Sequence, residues 1–214
     1  MEQNLHESRK SYEKDALLEE NLSNDPFEVF SKWFQDAEND DGVEEANAMG
    51  ISTIGSDGFP KSRIVLLKEI KDNRFIFYTN YTSEKAVSIA NDKHICIHFF
   101  WPSLERQVII KAISQKASRE KSASYFNSRP RGSQLGAWAS HQTNVIESRE
   151  ELEKQLQEVE ERFKDQDVPL PEFWGGFECE PVSFEYWQGR PNRLHDRILF
   201  DKLNGDWNSK RLQP

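Results

Sequence analysis

Cysteine, methionine and long apolar runs are scarce in this sequence, and each scarcity excludes a class of protein. Two cysteines, Cys96 and Cys179, in 214 residues cannot build a disulfide framework. Neither has Cys or His partners at metal-ligand spacing, so the expectation is two reduced core thiols and no metal site. The longest apolar stretch, residues 95–101, is interrupted by His98 and is far too short to span a membrane. The opening MEQNLHESRK has no apolar segment of the kind a secretory leader needs, so a cytoplasmic protein is expected. Basic residues are in the minority: 28 Lys and Arg against 37 Asp and Glu give a formal charge of −9. Such a chain is a poor partner for nucleic acid or an anionic membrane. Its overall charge disfavours small anions too, unless its cations are gathered in one place.

What is present suffices for a packed core. Leu, Ile, Val and Phe make up 51 of the 214 residues, above the level of roughly 20% below which disorder is the default. Six Trp point the same way. The apolar residues are unevenly spread. Residues 1–24 are polar and weakly periodic and read as a flexible N-terminal arm, while 25–214 read as a single domain. Asp25 and Pro26 are a helix cap and first-turn pair. Phe27, Phe30, Trp33 and Phe34 then share one helical face.

The middle of the chain reads as strands over 46–54, 62–68, 74–79, 94–101 and 106–115, with turns at 56–58 and 71–73. A short helix over 83–91 is expected behind Ser83, and another over 118–128 behind Ser118, ending before Pro130. Residues 148–164 are charged, with Leu152, Leu156, Val159 and Phe163 on one stripe. VPLPEFWGG reads as a loop. Strands over 177–187, 193–201 and 206–212 close the chain, the last two joined by an Asn204-Gly205 turn. The pattern is α+β, a mostly antiparallel barrel with peripheral helices.

The densest chemistry lies in FEYWQGRPNRLHDR, residues 184–197. On a continuous strand Arg193, His195 and Arg197 point to one face. That face either binds an anion, which a planar guanidinium fork suits, or is a solvated basic edge balanced by Glu185 and Asp196. YFNSRPRGS, residues 125–133, taken alone is a helix end running into a proline-stiffened turn with exposed arginines.

The run F-E-Y-W-Q-x4-R-L-H-D-R resembles the C-terminal signature of pyridoxamine (pyridoxine) 5′-phosphate oxidases. RIVLLK (63–68), YTN (78–80), LERQV (104–108), YFNSRPRGSQ (125–134), GAW (136–138), PLPEFWGG (169–176) and the terminal Arg211-Leu212 resemble further blocks of that family, in its order. The resemblance runs from about residue 25 to the end.

It implies a split β-barrel that binds FMN and works as a homodimer with its sites at the subunit interface. The implied reaction takes pyridoxine or pyridoxamine 5′-phosphate to pyridoxal 5′-phosphate, with dioxygen as acceptor and hydrogen peroxide released. By resemblance Arg63, Thr79 and Lys85 hold the FMN phosphate, with Tyr78 alongside and Ser83 nearby. The main chain of Ile64, Val65, Leu66 and Leu67 runs along the isoalloxazine ring, and Lys68 counts among the cofactor-binding residues. Gln107, Gln142, Thr143, Trp187 and Arg197 match positions around that ring system. Lys68, Tyr125, Arg129 and Ser133 match the cluster for the substrate phosphate. Arg193, Leu194 and His195 match the residues over the pyridine ring, with Arg193 and His195 in the catalytic role of positioning the 4′ carbon for hydride transfer. Arg9 and Tyr12 resemble an arm that closes over substrate.

One departure stands out. Where the family usually has Ser-Arg-Lys, this chain has Ser83-Glu84-Lys85, and an acid there weakens phosphate binding unless its side chain turns away. Thr143 replaces a usual Ser and keeps the hydroxyl. His94, His98 and His141 show no ligand spacing and read as ordinary strand or loop residues. Two other functions fit parts of the pattern: a split-barrel flavin oxidoreductase with another substrate, and a non-catalytic flavin- or vitamer-binding protein.

Overall fold

The computed structural model describes residues 4–214, so the first three residues of the expected arm lie outside the described residues. Five α-helices occur among the described residues: α1 Pro26–Glu38, α2 Glu84–Asn91, α3 Arg119–Ser128, α4 Arg131–Ala139 and α5 Arg149–Arg162. The strands are β1 Ala48–Ile54, β2 Pro60–Leu66, β3 Glu69–Lys71, β4 Arg74–Asn80, β5 His94–Trp101, β6 Arg106–Lys116, β7 Trp174–Gln188, β8 Asp196–Leu203 and β9 Asp206–Leu212. They hydrogen-bond in the order β2-β1-β5-β6-β7-β4-β3, with β8 on β7 and β9 on β8. The β3–β4, β4–β7, β7–β8 and β8–β9 pairs are all antiparallel. No helix among the described residues is long and apolar enough to cross a membrane.

The chain divides into two compact units. The first comprises the described part of Met1–Met49 with Ile97–Lys111 and Val182–Pro214. Its helix α1 starts as the sequence requires: Asp25 accepts the Phe27 N–H at 2.8 Å and Pro26 occupies the first turn. Phe30 and Trp33 bury the apolar face, Phe30 against Phe99 at 5.1 Å between ring centroids and Trp33 edge-on to Tyr186 at 5.2 Å. The buried Tyr186 hydroxyl donates to the Pro26 carbonyl at 2.6 Å. The β8–β9 turn places Asn204 at φ 55° and Gly205 at φ 97°, the left-handed pair that a two-residue hairpin needs. Residues ahead of α1 are mostly irregular, with one 3₁₀ turn at Glu19–Asn21.

The second unit comprises Gly50–Cys96 and Ala112–Pro181. Strand β4 pairs with the first half of β7, Phe75 opposite Cys179 and Asn80 opposite Trp174. Phe126, Leu135, Phe163, Val168 and Trp174 form a buried cluster that joins the helices to β7. Neither Cys96 nor Cys179 forms a disulfide. Cys179 is fully buried, and burial pushes its thiol up to about 12.

Several local expectations are corrected. Residues after Pro130 form α4 rather than a turn. Pro130 sits at the cap with φ −53°, and burial of Leu135 and Ala139 offsets the two glycines that weaken the helix in sequence. Trp174, Gly175 and Gly176 belong to β7 and not to a loop. A Cβ at Gly175 would collide with the Tyr81 hydroxyl, so the glycines permit close pairing rather than a bend. The short β3 was not expected. Ser83 occupies the α2 cap position, but its hydroxyl donates to the Asn80 carbonyl at 2.7 Å and makes no capping bond. Strand β8 begins at Asp196, not at Arg193. Asn192 and Arg193 have φ 56° and 62°, so the alternation that aligned Arg193, His195 and Arg197 on one strand face does not hold.

Phe99 is fully buried between Phe30 and Trp101. Phe99→Ala is expected to cost about 3–5 kcal/mol, whereas Val145→Ala, at a fully exposed position, is expected to stay within about 0.5 kcal/mol. Urea unfolding midpoints of the two variants check this.

Candidate active site

A cavity of about 680 Å³ in the second unit is lined by β2, β4 and the α2, α3 and α4 ends, and it gathers many of the expected residues. At one part lie Arg63 and Lys85. The Arg63 guanidinium donates through Nη1 to Thr53 Oγ1 at 2.8 Å and to the Lys61 carbonyl at 2.7 Å, while its buried Nη2 has no partner. Lys85 is 8% exposed. Its ammonium donates to Gln142 Oε1 at 2.7 Å, Thr79 Oγ1 at 3.3 Å and Ser83 Oγ at 3.4 Å. No carboxylate pairs with either cation among the described residues. Burial, and then the neighbouring Arg63 charge, brings Lys85 down to about 8. A buried lysine and a half-buried arginine, ringed by hydroxyls and without a paired carboxylate, suit a phosphate dianion.

The same cavity holds a second cluster. Arg129, at the end of α3, lies over the Trp174 ring at 4.7 Å, and its buried Nη1 has no partner. Tyr125 stacks on Tyr78 with 4.0 Å between centroids. Lys68, Ser133, Ile64, Val65 and Leu66 complete the lining named by the sequence. Burial lowers Arg129 and pushes the Tyr78 hydroxyl up to about 12.

A separate cavity of about 490 Å³ lies in the first unit. It brings Arg9, Tyr12, Arg193 and His195 together, with Arg190 and Asn192. The Trp187 ring lies 4.6 Å from His195. His195 Nδ1 accepts the Arg190 backbone N–H at 3.1 Å, so the neutral ring carries its proton on Nε2. Burial, with the Arg193 charge, lowers the His195 pKa, and Asp196 opposes this.

Six expected residues line neither cavity, Trp187 among them, which reaches the second only through its packing on His195. Leu67 is buried and Leu194 is 69% exposed. Gln107 hydrogen-bonds His98 at 2.9 Å. Thr143 Oγ1 accepts the Glu84 N–H at 2.9 Å. Arg197 is ion-paired through Nη2 to Glu185 at 2.8 Å and donates to the Gln213 carbonyl at 3.0 Å.

Contributors missed in the sequence include Arg190, whose backbone N–H holds His195 Nδ1, together with Trp174, Asn192 and Lys61. Trp174 underlies Arg129, and the signal was an aromatic residue just ahead of two glycines. Asn192 sits in the second cavity with no sequence cue. Lys61 pairs with Glu84 at 2.5 Å. Lys61 and Arg63, two apart on β2, share a face, and that spacing was the available cue. The pair answers the Glu84 departure, since the acid is neutralised by a lysine.

The family model described as Pyridoxamine 5'-phosphate oxidase matches residues 35–163, and the one described as Pyridoxine 5'-phosphate oxidase C-terminal dimerisation region matches residues 174–214. The chain is 52% identical over 214 residues to the Pyridoxine/pyridoxamine 5'-phosphate oxidase of Christiangramia forsetii, covering 100% of both. It is 52% identical over 209 residues to the protein of that name from Flavobacterium johnsoniae, covering 97% of this chain and 98% of that one. A crystal structure of PhzG from Burkholderia lata 383 with tetrahydrophenazine-1-carboxylic acid superposes with a TM-score of 0.85 at 24% identity, over 94% of this chain and 98% of that one. A pyridoxamine 5'-phosphate oxidase-related, FMN binding protein from Nostoc punctiforme superposes with a TM-score of 0.70 at 15% identity, over 90% and 100%. These two likenesses concern the fold, which is the expected α+β split barrel.

The Lys85 ammonium is present below about pH 8 and lost above it. Inorganic phosphate binding is therefore expected to weaken by about tenfold per unit as pH rises past that value. A Lys85→Met variant is expected to bind weakly without this dependence. Calorimetric titrations between neutral and alkaline pH check both.

Proposed function

Because the chain belongs to the pyridoxamine 5′-phosphate oxidase family, we propose that it oxidises pyridoxine 5′-phosphate and pyridoxamine 5′-phosphate to pyridoxal 5′-phosphate, using FMN and dioxygen and releasing hydrogen peroxide. One observation carries this reading. A single cavity has two clusters of cations and hydroxyls, and each contains a buried guanidinium nitrogen without a partner, Arg63 Nη2 and Arg129 Nη1. The cofactor and the substrate each bring one phosphate.

Arg63, Lys85 and Thr79 hold the cofactor phosphate, and the β2 main chain from Ile64 to Leu66 borders its ring. When bound, FMN supplies the two-electron acceptor that dioxygen reoxidises. Lys68, Tyr125, Arg129 and Ser133 hold the substrate phosphate. Arg193 and His195 orient the pyridine ring and the 4′ substituent. With Nδ1 engaged by the Arg190 N–H, His195 offers Nε2–H as a donor, which suits it to positioning the reacting group. In the alcohol reaction the substrate loses two hydrogens and dioxygen becomes hydrogen peroxide. The amine reaction also consumes water and releases ammonia.

The matched dimerisation region contains Trp187, Arg193, His195 and Arg197. We propose a homodimer in which one protomer supplies the two phosphate clusters of a site and its partner supplies Arg193 and His195.

Purified protein is expected to show a flavin spectrum and to form pyridoxal 5′-phosphate and peroxide aerobically from either substrate. A colourless protein that binds the vitamer without turnover would instead indicate a binding protein. A flavin spectrum without turnover would indicate another substrate. Mixing inactive Arg129→Ala and Arg193→Ala chains, by co-refolding, is expected to restore about a quarter of wild-type activity, because random pairing in a two-fold dimer gives half the dimers one intact site. No restoration would place both residues of a site on one chain.

A further inference from the structure

Glu105 is an unusual residue in the first unit. It lies between β5 and β6 with φ 55°, a left-handed conformation that a non-glycine residue adopts at a cost. It is only 2% exposed. A buried carboxylate persists where its oxygens are fully engaged, and here the partners come from the N-terminal segment. Oε2 accepts the backbone N–H groups of Glu13 at 2.8 Å and Lys14 at 3.0 Å. Oε1 pairs with the Lys10 ammonium at 2.9 Å. Burial pushes the carboxyl up, but Lys10 and the two N–H groups hold it below its usual range.

The other end of the same residue reaches the second cavity. The Glu105 carbonyl accepts the Gly189 N–H at 2.8 Å, just ahead of the loop that carries Arg193 and His195. Tyr12 packs directly on Gly189, where an added Cβ would lie 2.8 Å from the Tyr12 Cβ. The Tyr12 ring is then edge-on to Trp187 at 5.7 Å and 5.8 Å from His195. The chain beyond this point is anchored separately. Asp15 pairs with Arg106 at 2.8 Å, and Glu19 with Arg211 at 2.6 Å. Losing the Glu105 carboxylate therefore releases residues ahead of Asp15 and leaves the rest in place.

We propose that Glu105 is a positioning residue, whose carboxylate clamps residues 10–14 so that Tyr12 closes over His195 and Trp187 and raises the affinity for the pyridine-ring end of the substrate. The role rests on the function proposed above. Glu105 touches no reacting atom, and its effect passes through Tyr12.

The test compares Glu105→Gln, Tyr12→Ala, the double variant and Gly189→Ala, all as full-length holoenzyme. Glu105→Gln is expected to raise KM for pyridoxamine 5′-phosphate by about tenfold with little change in kcat, the signature of lost uniform binding. The double variant is expected to match Tyr12→Ala alone, because both changes remove one contact. Trypsin cleavage after Lys10 and Lys14 is expected to accelerate in Glu105→Gln. Gly189→Ala displaces Tyr12 without altering Glu105 and is expected to reproduce the KM rise, which keeps the proposal decidable if Glu105→Gln fails to fold. Multiplicative effects in the double variant, a fall in kcat at constant KM, or an unchanged KM in Gly189→Ala would each overturn it. If the wild-type protein does not turn over the vitamer, the proposed function fails. The clamp is then judged by trypsin cleavage alone, and cleavage unchanged in Glu105→Gln overturns it.

Discussion

Lys85 is buried and Arg63 and Arg129 are half-buried, with no carboxylate among the described residues paired to any of the three. Burying a charge without full pairing is costly, and the cost shows in all three, whose pKa values burial lowers. Such an arrangement persists only where the surrounding fold over-determines it. Arg63 is fixed by the Thr53 hydroxyl and the Lys61 carbonyl, Lys85 by three oxygens, and Arg129 by the Trp174 face. Arg63 and Arg129 each keep a buried nitrogen that an anion would satisfy, and Lys85 keeps a charge that no carboxylate offsets. The cavity's shape, the two glycines that let β7 approach Tyr81 and Tyr78, and the helix ends around it all serve that constraint.

The pairing state of the cations separates binding from structure more clearly than their positions in sequence. Elsewhere the acidic excess is used to neutralise arginine and lysine. Glu178 takes Lys121 and Arg74, Asp15 and Asp36 take Arg106, and Glu19 with Asp196 takes Arg211. A charge of −9 thus describes a surface well supplied with carboxylates, while the cavity is kept free of them. Glu84 tests the rule from the other side. It sits next to Lys85 in sequence, yet its carboxylate is held by Lys61. It still acts on Arg63 and Lys85 through space, favouring their charged forms.

Local chemistry made much of the fold legible. Asp25 and Ser118 cap their helices with the bonds expected of them, and Asn204-Gly205 turns the last hairpin. These features depend on a few adjacent residues. The misreadings arose where distant residues decide. Helix α4 has two glycines and depends on burial of Leu135 and Ala139. The start of β7 depends on Tyr81 and Ser122 lying where a Cβ would be. The break at Asn192 and Arg193 overrides an alternation that read as continuous strand. Resemblance named most of the residues that line the two cavities. What sequence left hidden was the state of each residue, such as the orphaned nitrogens and the ion pair on Arg197.

That break bears on the chemistry. Had β8 begun at Arg193, side chains two apart would have projected side by side, and Arg193, His195 and Arg197 would have crowded three like-charged groups on one face. The left-handed residues divide them instead. Arg197 joins the sheet and finds Glu185. Arg193 and His195 stay in the loop, where the Arg190 N–H occupies His195 Nδ1 and the Arg193 charge disfavours a second proton. A neutral imidazole with one defined donor is the form such a loop can present to a polar substituent. It is produced by backbone geometry at two residues rather than by a carboxylate behind the ring.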